Sequence, residues 1–151
     1  MSKHSLEIQI NQYLDRLMRP KAEFNGHSIC PSMAEHRKNI GVKIITCEFE
    51  TQIEDTIDVF RMFKYSAVVC GFENITADEI CKITNRLINY TKFDDIELLV
   101  SDPTLKGKLR GVYTGFKKAP LLIIQSRSLL EAEQKKYREK GYYKAVYKDG
   151  R

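Results

Sequence analysis

The sequence lacks the segments that mark membrane-spanning and secreted proteins. Its longest apolar runs, such as APLLII at 119–124, are far shorter than the roughly 20 residues with which a helix crosses a bilayer. The N-terminus is charged and holds no apolar block of the signal-peptide type. We therefore expect a cytoplasmic protein without a membrane partner.

Cysteine is also scarce, and its spacing excludes several classes of protein. Four cysteines in 151 residues are too few for a disulfide scaffold. No two of them form a CxxC pair, so the sequence has neither a zinc-ribbon nor a dithiol redox motif. Cys47, Cys70 and Cys81 have apolar neighbours, and we predict that they are small buried side chains. Cys30 is left as the candidate reactive thiol.

Acidic residues are sparse in the last third of the chain, where basic residues collect. Residues 101–151 carry 13 basic and 5 acidic side chains, a net charge of +8, whereas residues 51–100 carry 5 and 9, a net charge of −4. A basic end of this kind suits an anionic small molecule or a nucleic acid as partner. Solvated lysines that keep the protein soluble are the alternative explanation.

No repeat, low-complexity tract or long linker divides the chain, so we predict a single domain over residues 1–151. Within it, residues 1–40 form an N-terminal helical segment with a Cys-Pro loop, and residues 41–151 form the sheet core and a basic C-terminal helix. Short apolar runs predict strands at 41–49, 66–72, 95–101 and 120–126.

Capping residues mark where the helices begin. Ser5 is placed to cap the first helix, whose apolar positions recur at helical spacing: Leu6, Ile10, Tyr13, Leu14, Leu17 and Met18. Capping-box pairs predict three further helices, at Thr51 with Glu54, Thr76 with Glu79, and Ser128 with Glu131. Gly141 is placed to end the last helix.

Strands that alternate with amphipathic helices in the order β-α-β-α-β-β-α predict an α/β fold. We expect N-terminal helices followed by a small four-stranded sheet, either largely parallel or mixed. The same order along the chain occurs in thioredoxin-like cores, although the redox dithiol is missing here.

The stretch FNGHSICPSMAEHRK at 24–38 holds two of the three histidines and one cysteine. Proline is favoured at the first position of a helix, so Pro31 places Cys30 at or near a helix N-cap. Unpaired N–H groups and the positive end of the helix dipole stabilise a thiolate there. We predict Cys30 as a catalytic nucleophile and His27 as the partner that shares its proton. A structural helix start with an inert thiol is the alternative.

The same stretch offers ligands to a metal ion. His27, Cys30 and His36 have the spacing H-x2-C-x5-H, and the fourth ligand would be water or one of Cys47, Cys70 and Glu35. This spacing is not a standard zinc motif, and roughly 9 Å of helix separates the last histidine from the cysteine. The sequence indicates no particular cofactor.

The Cys30-Pro31 pair, followed by strand, helix, strand, helix and strand, resembles the uncharacterised bacterial and phage protein family with an N-terminal Cys-Pro-Phe-Ala (CPFA) motif. The resemblance spans most of the chain from about residue 24 onward. Ser32 and Met33 stand where the family has Phe and Ala, and Asp102 replaces the histidine of the family's His-Pro after the third strand. The resemblance implies a similar fold and brings no assigned activity.

Residues 101–120 form a long, basic and glycine-rich connection, and such loops in compact domains are usually functional. Glycine lets backbone amides approach an anion, which the cations would neutralise. We predict ligand-binding residues here: Lys106, Lys108, Arg110, Tyr113, Lys117 and Lys118. The spacing fits neither a Walker A loop nor a dinucleotide fingerprint. A glycine-rich hairpin with exposed lysines is the alternative.

These patterns support three hypotheses of function. We prefer a thiol-dependent enzyme or redox protein that acts on an anionic small molecule through Cys30. The alternative is a non-catalytic module that binds nucleic acid or an acidic partner through the 106–118 loop and the basic C-terminus. A third is an assembly protein whose sheet edge pairs with a second copy to form a homo-oligomer.

Overall fold

The structure, a computed structural model, describes residues 3–18, 35–91, 95–105, 108–109, 112–113 and 115–141. Its helices are α1 (Lys3–Met18), α2 (Phe49–Phe63), α3 (Ala77–Thr91) and α4 (Arg127–Glu139), and a 3-10 turn spans Arg37–Asn39. Its strands are β1 (Ile40–Ile45), β2 (Ala67–Phe72), β3 (Ile96–Ser101), β4 (Lys108–Leu109), β5 (Val112–Tyr113) and β6 (Leu121–Ser126). The predicted single α/β domain is confirmed, and so is the order of its elements, to which the β4–β5 hairpin is added.

The central sheet is mixed, with the strand order β1-β2-β6-β3. β1 and β2 are parallel, whereas β6 is antiparallel to both of its neighbours, β2 and β3. The mixed form of the predicted sheet is therefore the one observed. β6 follows the other five described strands in the chain and yet lies inside the sheet.

Helices cover both faces of this sheet. α2 and α3 pack on one face, and α1 packs on the other, where Leu6, Ile10 and Leu14 are almost completely buried. Side chains alternate along each strand, so Val69 faces α1 while Cys70 faces α2 and α3. Each fully buried leucine or isoleucine contributes about 1.5–3 kcal/mol, which is enough to hold α1 on the sheet. None of the four described helices has the length and apolar character that a membrane crossing requires.

Gly71 lets α1 approach β2 closely. A Cβ atom built at this position would overlap Cδ1 of Ile10 and would lie 3.2 Å from Cδ1 of Ile44. The contact occurs because Ile10 of α1 and Ile44 of β1, which pairs with Gly71 in the sheet, belong to the same hydrophobic cluster. Glycine at this position therefore sets the distance between α1 and the sheet.

One capping box and the final glycine are as predicted. The N–H of Thr76 donates to Glu79 Oε2 at 3.1 Å, and the N–H of Glu79 donates to Thr76 Oγ1 at 3.2 Å. Gly141 follows α4 in the left-handed region, with a φ of +76°. Its N–H donates to a carbonyl of the last helical turn at 3.1 Å, as expected of a C-terminal glycine.

The other three predicted helix starts are wrong by a few residues. α1 is already helical two residues before Ser5, and α2 begins two residues before Thr51. The start of α2 is set by Glu48, whose backbone oxygen accepts a helical N–H bond at 2.9 Å. The N-cap of α4 is Ser126 instead of Ser128, because the Ser126 hydroxyl accepts an N–H bond of the first turn at 3.3 Å.

The predicted burial of the cysteines is confirmed for Cys70 and is wrong for Cys47. β1 ends at Ile45, so Cys47 lies beyond the strand, where it is exposed. Cys81 on α3 is half-buried. Burial raises the pKa of the Cys70 thiol to about 12, so this side chain stays protonated at neutral pH.

Candidate functional site

A mostly apolar cavity lies between α1, α4 and the sheet face that carries Val69. Its volume is about 230 Å³. The apolar wall includes Leu14, Leu17, Val69, Leu121, Ile123 and Leu129. α4 has no fully buried side chain, so this helix covers the sheet loosely and leaves the space beneath it.

The polar lining of this cavity centres on His36, and both ring nitrogens of this residue make hydrogen bonds. Its Nε2 lies 3.1 Å from Glu133 Oε1, and its Nδ1 lies 3.3 Å from the hydroxyl oxygen of Ser66. A carboxylate can only accept a hydrogen bond, so Nε2 is the donor to Glu133. In the neutral ring Nδ1 then accepts from the Ser66 hydroxyl. A hydroxyl, an imidazole and a carboxylate are thus bonded in series, an order typical of proton-transfer sites.

Beside His36, the carboxylate of Glu35 is held by two side chains of α4. Lys136 Nζ lies 2.6 Å from each Glu35 oxygen, and the Tyr137 hydroxyl donates to Oε1 at 2.5 Å. The hydrogen bond from Lys136, followed by the one from Tyr137, lowers the pKa of Glu35. These contacts tie the segment before β1 to the last turn of α4.

Glu133 is the most enclosed charged group of the site. Its side chain is 15% exposed, and its Oε2 atom is buried with no hydrogen-bond partner among the described residues. The nearest described cation is Lys136, whose Nζ lies 4.0 Å from that oxygen. A buried acceptor without a donor costs about 1–3 kcal/mol, so this oxygen destabilises the site unless a donor or a cation reaches it.

The structure describes only one of the three predicted metal ligands. Cys30 and His27, which are also the predicted catalytic pair, lie outside the described residues. His36 is described, and it forms a potential ligand cluster with Glu35 and Glu133, whose ligand atoms all lie within 4.8 Å of one another. Of the alternatives predicted for a fourth ligand, Glu35 belongs to this cluster and the two described cysteines do not.

The predicted anion-binding residues are placed in part. Two lie outside the described chain, Lys106 and Arg110. Two belong to the antiparallel β4–β5 hairpin, which is the predicted alternative for this loop: Lys108 and Tyr113. Lys117 donates to the backbone oxygen of Leu105 at 2.7 Å, and Lys118 lines a separate groove beside Glu73. Of these six residues, none that the structure describes lines the cavity.

Sequence reasoning missed Ser66 and Glu133. Glu133 lies 97 positions from His36, and no local pattern connects residues so far apart. Glu133 is one of three acidic residues among four basic ones in α4, so the charge pattern does not single it out either. No protein-family model matches the chain, and neither a curated protein nor a solved structure is significantly similar to it.

Proposed function

We propose that the protein binds a small, mainly apolar molecule in the cavity beneath α4. The observation that carries this proposal is a mostly apolar cavity whose polar lining includes the side chains of His36 and Glu133. Pockets with apolar walls and a few convergent polar groups are the usual sites of small ligands. An apolar cavity of roughly 150 Å³ holds benzene, so about 230 Å³ accommodates roughly ten non-hydrogen atoms.

The polar end of the cavity selects the chemistry of the ligand. Glu133 offers a buried acceptor, so the ligand should carry one O–H or N–H group on an otherwise apolar body. A single hydrogen bond of this kind contributes about 1 kcal/mol, or about fivefold in affinity. A phenol should therefore bind more tightly than the toluene of the same size.

A cavity-filling variant tests this function. Ala67 lies on β2 and lines the cavity, so Ala67→Leu adds three carbon atoms inside it. We expect the variant to lose phenol and toluene binding in ligand-observed NMR, and to gain about 0.5–2 kcal/mol of stability because a void is filled. Ala132→Leu makes the same change on an exposed position of α4 and should leave binding unchanged. Binding that survives Ala67→Leu, or wild-type protein that binds neither compound, would refute the proposal.

The functions predicted from the sequence remain proposals beside this one. A thiol-dependent reaction of an anionic small molecule at Cys30 in the cytosol requires that thiol to react with iodoacetamide faster than a free thiol at neutral pH. Membership of the CPFA family is a proposal about the fold and brings no activity with it. Nucleic-acid binding through the 106–118 loop requires an affinity that falls steeply with salt. Pairing with a second copy requires a concentration-dependent mass in sedimentation.

A further inference from the structure

The polar end of the cavity brings together three groups that are suited to a divalent metal. One imidazole and two carboxylates come from His36, Glu35 and Glu133, and their ligand atoms all lie within 4.8 Å of one another. Zinc takes such nitrogen and oxygen ligands at about 2.0–2.2 Å, so neighbouring ligands of a tetrahedral site are about 3.4 Å apart. His36 Nε2 and Glu133 Oε1 are 3.1 Å apart, which is close to that spacing before any metal binds.

The charges of this cluster also call for a cation. Both carboxylates face Lys136, whose Nζ lies 2.6 Å from the oxygens of Glu35 and 4.0 Å from Oε2 of Glu133. One ammonium group therefore serves two carboxylates, and it leaves that Glu133 oxygen buried without a hydrogen bond from the described residues. Two negative charges against one positive charge favour a second cation at this point.

We infer that Glu35, His36 and Glu133 bind one Zn²⁺ ion, with a fourth position open to water or to a ligand. Zinc takes the place of the Nε2 proton, and the neutral ring keeps one proton by changing to the Nδ1–H tautomer, in which Nδ1 donates to the Ser66 hydroxyl oxygen. Zinc also displaces Lys136 from Glu35, so the lysine competes with the metal. The site joins the segment before β1 to α4, and it does not depend on the apolar ligand proposed above.

Calorimetric titration of ZnCl2 into the chelator-treated full chain tests the inference. We expect 1:1 binding that weakens by about tenfold or more in His36→Ala and in Glu133→Gln, since each loses a direct ligand. Lys136→Met should bind zinc more tightly than the wild type, because the competing ammonium group is gone. A variant that merely unfolds cannot produce such a gain. His4→Ala removes an exposed histidine of α1 and should change nothing.

The Co²⁺-loaded protein distinguishes this site from the one predicted in the sequence. Ligation by nitrogen and oxygen alone gives visible d–d bands and lacks the near-ultraviolet charge-transfer band of a thiolate ligand. In addition, the variant His27→Ala/Cys30→Ser should bind zinc as tightly as the wild type. A thiolate band, loss of zinc binding in that variant, or no zinc binding by the wild type would overturn the inference. Ala67→Leu, which fills the cavity, should still bind zinc. The zinc titration therefore tests the metal site independently of the ligand proposed for the cavity.

Discussion

Replacing Gly71 with alanine should push α1 away from the sheet. The added Cβ would overlap Cδ1 of Ile10 and would lie 3.2 Å from Cδ1 of Ile44 and 3.5 Å from Cδ2 of Leu6. All three neighbours are buried, with exposures of 4% or less, so no side chain can swing into solvent. The core must therefore adopt poorer rotamers, or α1 must shift.

The loss of stability in Gly71→Ala can be estimated from the crowding that the added carbon atom causes in the core. Extra carbon atoms in a well-packed core cost about 1–3 kcal/mol. For a domain of this length, 1 kcal/mol corresponds to about 2–4 °C in Tm, so Gly71→Ala should lower Tm by about 4–8 °C at the middle of that range. Thermal unfolding followed by circular dichroism measures this shift. Gly115→Ala is the matched control, because a Cβ at Gly115 meets nothing within 4 Å.

A double-mutant cycle identifies the contact responsible. Ile10→Val removes the Cδ1 atom that the new Cβ would overlap, at a cost of about 0.5–1.5 kcal/mol on its own. If the overlap is the cause, Gly71→Ala/Ile10→Val is more stable than the sum of the single changes by about 1 kcal/mol. Additive effects, or a Gly71→Ala variant as stable as Gly115→Ala, would show that α1 is not held at this distance by the glycine.

Three further predictions concern single groups. Ser126→Ala should lower the free energy of unfolding in urea by about 1 kcal/mol, and Ser128→Ala should lower it by less, because Ser126 caps α4. A larger loss in Ser128→Ala than in Ser126→Ala would contradict this cap. Cys70 should resist iodoacetamide in the native protein and react after unfolding, because its thiol is buried and protonated. Labelled Cys70 in the mass spectrum of the native protein would contradict this. The hydrogen bond from Arg61 lowers the pKa of Asp95. The wild type should therefore have a higher Tm than Asp95→Asn near neutral pH, and this difference should disappear as the pH falls through the lowered pKa. A difference in Tm that does not depend on pH would contradict this.

Elements fixed by local pattern are the ones that the sequence predicts well. The apolar spacing of Leu6 and Ile10 identifies the buried side of α1, and the box of Thr76 and Glu79 identifies the start of α3. Prediction fails where the backbone adopts a conformation that the residue type does not indicate. Thr51 has the residues of a capping box, yet the chain turns earlier, at Glu48, which adopts a left-handed conformation with a φ of 49°. A non-glycine residue at this φ gives no sequence signal.

The candidate site is less predictable than the fold because it depends on long-range contacts. His36 is conspicuous in the sequence as one of three histidines, but the sequence suggests partners within a few positions of it. The observed partners are Ser66 and Glu133, which β2 and α4 bring to it from distant parts of the chain. Only the arrangement of the sheet, with β6 inside it, places the start of α4 over β2.

The position of β6 has a consequence for the protein during its synthesis. Of the described strands, β6 leaves the ribosome last, and until it emerges β2 and β3 lack the neighbour that lies between them. α4 follows β6 directly and carries Glu133 to His36, so the cavity and its polar end are completed at the same time as the sheet. A small molecule that binds there therefore has no site on a nascent chain. The ligand that we propose would stabilise only the completed fold against unfolding.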